Sequence, residues 1–188
     1  MSNHLDINLL RRRLLPAKVA LGTRNNPPPD AAVAVIIDSS KSSILLIRRT
    51  ERRSDPWSGQ IAFPGGHRAP NDNSFLETAI REVKEEVGIS LASHEALGAL
   101  PLVYARNQRV RVAPFVFQLS KSVKLYPNLE VADTLWAPVS ELTNSSVIES
   151  EVLSGEEKLK VDSYIYKGNV IWGLTFRIIT ILLGKEEP

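Results

Sequence analysis

Apolar positions along the chain fall into runs of different kinds. Ala31 to Ile37 and Ile44 to Ile47 are short, nearly continuous and rich in β-branched residues, which predicts buried strands. The turn-forming Asp38-Ser39-Ser40-Lys41 lies between them, so they read as a hairpin or paired strands. Leu76, Ala79, Ile80, Val83 and Val87 recur at helical spacing and form one apolar stripe. Ser74 is a good N-cap, Glu77 completes a capping box and Gly88 supplies a stop, which predicts a helix over Ser74 to Val87. The most apolar run, Val170 to Leu183, predicts a buried C-terminal helix led into by Val170-Ile171-Trp172-Gly173.

Weaker patterns complete the outline. A short helix is expected over Leu5 to Leu15, starting near Asp6 or Asn8. Pro27-Pro28-Pro29 makes an extended entry segment that cannot join a helix. Thr50 to Asn73 is rich in Pro, Gly, Asp, Arg and Asn and reads as loop, with a short strand at Gln60 to Phe63. Strands are expected at Leu97 to Tyr104, at Val110 to Leu119 and around Thr134 to Ala137, and a small helix from near Pro138. Strands and helices mix without strict βαβ alternation, which argues for an α+β or layered α/β fold. No repeat or second linker divides the chain. The expected organisation is an N-terminal helix and extended lead-in over residues 1–30, then a single domain over residues 31–188.

Composition narrows the function classes. A chain of 188 residues with 43% hydrophobic and 23% charged residues suits one soluble globular domain. A net charge of +2 is too small to argue for a nucleic-acid partner. The lack of cysteine excludes disulfides and cysteine-ligated zinc, and fits a cytoplasmic protein. Arg11, Arg12 and Arg13 interrupt any signal-peptide plan and read as a solvated face. The run to Leu183 contains Arg177 and is too short to span a bilayer, so no membrane partner is expected.

The central helix carries the chemistry. Glu82, Glu85 and Glu86 fall within an arc of about 100°, apart from the apolar stripe. Glu82 repels both others at roughly 0.2–0.5 kcal/mol per pair, and Glu85 and Glu86 sit in the last turn, where the macrodipole disfavours anions. A solvated acidic face eased by Arg81 and Lys84 would explain this, and so would a divalent cation, which turns repulsion into coordination. Phe63-Pro64-Gly65-Gly66 shifts the balance, because it sets glycines where backbone turns tightly or approaches a ligand.

Here the chain resembles the Nudix hydrolases, whose box is G-x5-E-x7-R-E-U-x-E-E-x-G-U with U aliphatic. Arg81 to Ile89 matches every specified position of its second half. Counting back from Arg81, the first half falls on His67 and Asn73. One extra loop residue restores Gly66 and makes Asp72 the nearest carboxylate to the missing Glu. The coenzyme A pyrophosphatase branch has the same longer loop with an Asp there. Leu45-Leu46, Arg49, the string Ser58 to Gly66 and the late Trp172-Gly173-Leu174-Thr175 are similar to that branch too, while Thr50 to Trp57 is one residue longer than its pattern.

The resemblance implies an α/β/α sandwich with a mixed sheet. It also implies hydrolysis of a nucleoside diphosphate linked to another group: coenzyme A or its derivatives first, ADP-ribose, dinucleotides or triphosphates otherwise. A non-catalytic nucleotide sensor on the same fold is a further alternative, against which all three glutamates speak. The implied cofactor is Mg2+, with Mn2+ as substitute. Glu82 and Glu86 are the main candidate ligands, with Glu85 as a third ligand or a base through water, and the Gly66 carbonyl completing the shell. Arg81 orients a glutamate by a charge-assisted pair. The general base is open between Glu85 and Glu130. Arg49, Arg52, Arg53 and Arg68 are candidates for binding phosphate. His67 could touch phosphate or be solvated, and Trp57 and Tyr104 could stack on adenine or simply pack. His4, His67 and His94 show no metal-ligand spacing, so zinc is not expected. Dimers are common in the family, so a homodimer is possible.

Overall fold

The computed structural model describes residues 6–17, 28–52, 57–92, 95–105, 110–154 and 157–185. In chain order its elements are α1 (Ile7–Arg13), β1 (Ala31–Asp38), β2 (Ser43–Arg49), β3 (Ile61–Ala62), β4 (Gly65–His67), α2 (Phe75–Val87), β5 (Ala96–Ala99), β6 (Val103–Tyr104), β7 (Arg111–Leu119), β8 (Val131–Pro138), α3 (Val139–Asn144), β9 (Ile148–Ser154), β10 (Glu157–Tyr166), β11 (Asn169–Trp172) and α4 (Gly173–Leu183).

An eight-stranded mixed sheet forms the middle layer. β1 runs parallel to β7 along its whole length and antiparallel to β2 and β4. Its side chains alternate between two cores. Ala32, Ala34 and Ile36 pack with Ala79, Val83 and Val87 of α2. Val35 and Ile37 pack on the opposite face with Phe176, Ile179 and Leu182 of α4 and with Tyr164, Tyr166 and Ile171 of a small sheet. That small sheet has the order β11-β10-β9. Burial on both faces is why β1 and β2 are apolar at nearly every position rather than at every second one. The result is a mixed α+β fold in which the central sheet lies between α2 on one side and α4 with the small sheet on the other.

Several expectations need correction. The run Val170 to Leu183 is not one helix. Val170 and Ile171 pair with Ile165 and Tyr164 as strand β11, and the helix starts at Gly173. A buried strand and a buried helix look alike as short apolar runs. The strand expected over Leu97 to Tyr104 breaks into β5 and β6 around Leu100-Pro101-Leu102, since Pro101 has no N–H to give a ladder. β9 and β10 went unforeseen because charged positions interrupt them. On one face of this hairpin Lys158 pairs with Glu151 at 2.8 Å and Lys160 with Glu149 at 2.9 Å. At the N-terminus, α1 is capped by the Asp6 carboxylate, which accepts from the Asn8 and Leu9 N–H groups. Leu10 of α1 is buried in the α4-side core.

Candidate active site

The site is built where one loop enters the sheet. β1 and β2 diverge after a short pairing at Ile37–Ile44. The chain from Ile61 to His67 fills the gap: β3 pairs with β2, β4 pairs with β1, and the Ala34 N–H donates to the Pro64 carbonyl at 2.8 Å. Two glycines make this insertion possible for different reasons. At Gly65 (φ 155°) a Cβ would strike the backbone of Ala32 and Val33, so the loop lies flush on β1. At Gly66 a Cβ would lie 2.7 Å from the Glu82 carboxyl carbon. The Gly66 backbone and the Glu82 carboxylate thus share one cradle, which any side chain at position 66 would fill.

α2 crosses beneath this loop. Ser74 Oγ caps the helix by accepting from the Glu77 N–H at 3.2 Å, and the Glu77 carboxylate reaches back one residue beyond the cap to accept from the Asn73 N–H at 2.8 Å, a variant of the expected capping box. Gly88 ends the helix in the left-handed conformation at φ 74°. Leu76 and Ile80 are only partly buried, whereas Glu86, expected apart from the apolar stripe, is 2% exposed. The reason is tertiary. β4 and its loop cover the helix, and the Gly65 N–H donates to Glu86 Oε2 at 2.9 Å. Burial pushes the Glu86 carboxyl up to about 8, aided by the neighbouring charges of Glu82 and Glu130 and opposed by the Gly65 N–H and the charge of Arg49. Burial also raises Glu82, against the pull of Arg81.

Asp72 anchors the inner side. It is buried and accepts from the Ala69 N–H at 2.9 Å, Thr78 Oγ1 at 3.0 Å and Arg81 Nε at 3.0 Å. The Arg81 guanidinium, more than burial opposes it, holds the Asp72 carboxyl down at about 2. Arg81 then reaches Glu82 Oε1 at 3.0 Å, Glu85 Oε2 at 2.9 Å and the His67 carbonyl at 3.2 Å. One buried aspartate therefore fixes one arginine, and that arginine orients two glutamates.

A second loop closes the outer side. The Tyr126 and Asn128 N–H groups donate to the Val87 and Glu86 carbonyls, the free end of α2, at 2.9 and 3.0 Å. Asn128 Oδ1 accepts from the Glu130 N–H at 2.8 Å. Arg52 Nη1 meets Glu130 Oε1 at 3.0 Å.

The expected residues separate accordingly. Gly66, Arg81, Glu82, Glu85 and Glu86 come together, with Arg49, Arg52 and Glu130 on the outer side. Arg68 lies on the inner side: Nε and Nη2 donate to the Asp72 carbonyl, and its guanidinium lies 5.4 Å from the centre of the Phe75 ring. Tyr104 lends its carbonyl to Arg177. Arg53, His4 and His94 lie outside the described residues. Asn128, Thr50 and Thr78 were missed. Pro127-Asn128 is a turn signal that marks the first, but no sequence pattern ties Thr50 or Thr78 to the site.

The donor set tests whether a metal fits. The buried Glu86 carboxylate, the Glu82 carboxylate and the Gly66 carbonyl supply oxygen alone, which suits a hard divalent cation such as magnesium or manganese. Among the described residues no three His, Cys, Asp or Glu side chains already converge on one point. Arg81 draws Glu82 and Glu85 towards itself.

A mixed sheet between helical layers, with a glycine loop facing a carboxylate-bearing helix, defines a layered α/β protein with an acidic, oxygen-lined site. The NUDIX domain model matches residues 27–153, so the chain belongs to the Nudix family and is a Nudix hydrolase. It is 36% identical over 132 residues to the Nudix hydrolase NudL of Photorhabdus laumondii, covering 69% of this chain and 70% of that one. A MutT/nudix family protein from Enterococcus faecalis shares the fold with a TM-score of 0.54 at 16% identity, over 94% of this chain and 71% of the other. A Francisella tularensis bifunctional NMN adenylyltransferase/ADP ribose pyrophosphatase, complexed with AMP and a manganese ion, shares it with a TM-score of 0.52 at 18% identity, over 94% and 46%. Among the described residues no helix is long and apolar enough to cross a membrane.

Proposed function

We propose that the chain is a divalent-metal-dependent pyrophosphohydrolase of nucleoside diphosphate derivatives, with coenzyme A and its derivatives as the preferred substrates. The observation that carries the reading is the cradle in which the Gly66 backbone, Glu82 and the buried Glu86 face one another. Glu82 and Glu86 would hold the cation, with the Gly66 carbonyl beside them. Magnesium or manganese, when bound, lowers the pKa of a coordinated water and offsets charge building on the leaving phosphate. Arg81 holds Glu82 and Glu85 in place, and Asp72 holds Arg81. Arg49, whose charge is felt by Glu86, and Arg52 would meet the substrate's phosphates. The coenzyme A preference is supported by the lengthened loop from Gly66 to Arg81 with Asp72 in it, and by the string Ser58 to Gly66.

The test is a hydrolysis panel with magnesium over coenzyme A, ADP-ribose, dinucleotides and nucleoside triphosphates. Coenzyme A should be cut within its diphosphate to a phosphopantetheine product and an adenosine bisphosphate, and chelation should stop the reaction. A clear preference for ADP-ribose, dinucleotides or triphosphates overturns the coenzyme A assignment and leaves the hydrolase assignment standing. No turnover across the panel, or turnover indifferent to chelation, overturns both. Independently of activity, the cation should raise the melting temperature of the wild type by mass action, and should do so far less for Glu82→Gln.

A further inference from the structure

The outer side of the site carries an exposed ion pair whose two members are the two kinds of group a diphosphate hydrolase needs. Arg52 and Glu130 meet at 3.0 Å with side chains 47% and 49% exposed. Their backbones are fixed where their side chains are not. The Arg52 N–H donates to Ser58 Oγ at 2.7 Å, the Thr50 N–H to the Glu130 carbonyl at 2.9 Å and Thr50 Oγ1 to the Leu129 carbonyl at 3.0 Å. With the bonds from Tyr126 and Asn128 to the end of α2, these tie both loops to the helix that carries Glu82 and Glu86. Glu130 is near enough to Glu82 and Glu86 for its charge to act on both.

On the reading of the site as a diphosphate hydrolase, we infer that Arg52 and Glu130 form an exchangeable pair. Phosphate oxygens of the substrate take the Arg52 guanidinium, and the carboxylate released from it is the general base. An exposed carboxylate–guanidinium pair contributes little to stability, so its exchange costs little, and the planar guanidinium donates to two phosphate oxygens at once. Glu85, the other candidate base, lies on Arg81, which Asp72 holds in place and no substrate needs to displace. In the step itself Glu130 takes a proton from water. The water oxygen forms its bond to phosphorus, and the bridging P–O bond breaks with its electron pair staying on the departing phosphate. Glu130 then gives its proton to solvent and pairs again with Arg52 as product leaves. Binding and base release are thereby linked: the base is free only when a phosphate group is in place.

The experiment is a binding cycle with α,β-methylene ADP, a diphosphate analogue whose bridge resists hydrolysis. Calorimetry with magnesium present compares the wild type, Glu130→Gln, Arg52→Ala and the double variant. Glu130→Gln should bind about two- to fivefold more tightly, the equilibrium weight of an exposed ion pair that the analogue no longer has to displace. Arg52→Ala should bind about tenfold more weakly through loss of a charge-assisted bond. The double variant should match Arg52→Ala, with no tightening left. In turnover, Glu130→Gln should lower kcat by about 100-fold without raising KM, while Arg52→Ala should raise KM and leave kcat within about threefold. Tightening that survives in the Arg52→Ala background reports general charge repulsion and overturns the exchange. Unchanged affinity in Glu130→Gln also overturns it, and an undiminished kcat there overturns the base role. Binding without coupling leaves the hydrolase reading intact, whereas no binding by the wild type removes that reading and this one with it.

Discussion

The inner and outer sides of the site use the same chemistry, an arginine against a carboxylate, in opposite ways. Inside, Asp72 is 6% exposed, accepts from three partners and holds an arginine that is itself mostly covered. Outside, Arg52 and Glu130 are each about half exposed and meet through one nitrogen and one oxygen. Desolvation makes the inner pair costly to break, because either partner left alone is a buried charge. Water makes the outer pair cheap to break, because it solvates both partners at once. Burial, more than residue type, decides which ion pair is frame and which is a moving part.

The comparison breaks most visibly at Asp72. Asp72→Ala should destabilise the protein by about 3 kcal/mol, the low end for a broken buried pair, since Arg81 keeps Glu82 and Glu85. For a chain of this size the melting temperature should fall by roughly 6–12 °C, and turnover should fall with it as the glutamates lose their guide. A shift under about 2 °C by calorimetry would show that Asp72 is not a frame residue.

Glu82→Gln and Glu86→Gln should each cost at least ~100-fold in rate, equivalent to about 2.7 kcal/mol of barrier. Both variants should fold, because each glutamine keeps the volume and an oxygen acceptor for its neighbour. Near-normal turnover by folded variants would remove these residues from the proposed metal site.

Acid sharpens the contrast at about 2 kcal/mol. The Arg81 guanidinium depresses the folded pKa of Asp72 to about 2 from the ordinary aspartate value near 3.8, so its contribution is complete above that ordinary value. It is lost as pH falls through about 4 towards 2. Chemical denaturation at stepped pH should show the wild type losing its advantage over Asp72→Asn across that window. A gap that is constant with pH would mean that the carboxylate charge is not what holds Arg81.

The smallest effect is expected outside. Arg52→Ala and Glu130→Gln should change stability by no more than ~0.5 kcal/mol, although both alter binding or turnover. A cost above ~2 kcal/mol for either would place the outer pair in the frame after all.

Much of the frame was legible because its signals are local. Ser74, Glu77 and Gly88 delimit α2 by cap chemistry that needs no other element. The half-box from Arg81 to Ile89 displays its glutamates at spacings set by the helix alone. The small sheet was less legible, because only one part of it is buried. Tyr164 and Tyr166 face the core, while Glu149, Glu151, Lys158 and Lys160 pair with each other in solvent, and the mixed pattern hides the strands.

By itself, then, the sequence determined the capped helix, the paired apolar strands, the glycines ahead of the helix and an all-oxygen set of candidate ligands. Each follows from backbone geometry and residue chemistry within a few positions. Only the tertiary structure decided that Glu86 is buried, that Asp72 faces Arg81 and that Glu130 faces Arg52. Those outcomes depend on the loop that fills the gap between β1 and β2 and on the segment that closes the end of α2. The Arg52–Glu130 contact spans 78 positions of sequence. Contacts of that reach depend on how the chain closes upon itself, and no local periodicity encodes which charge will lose its water.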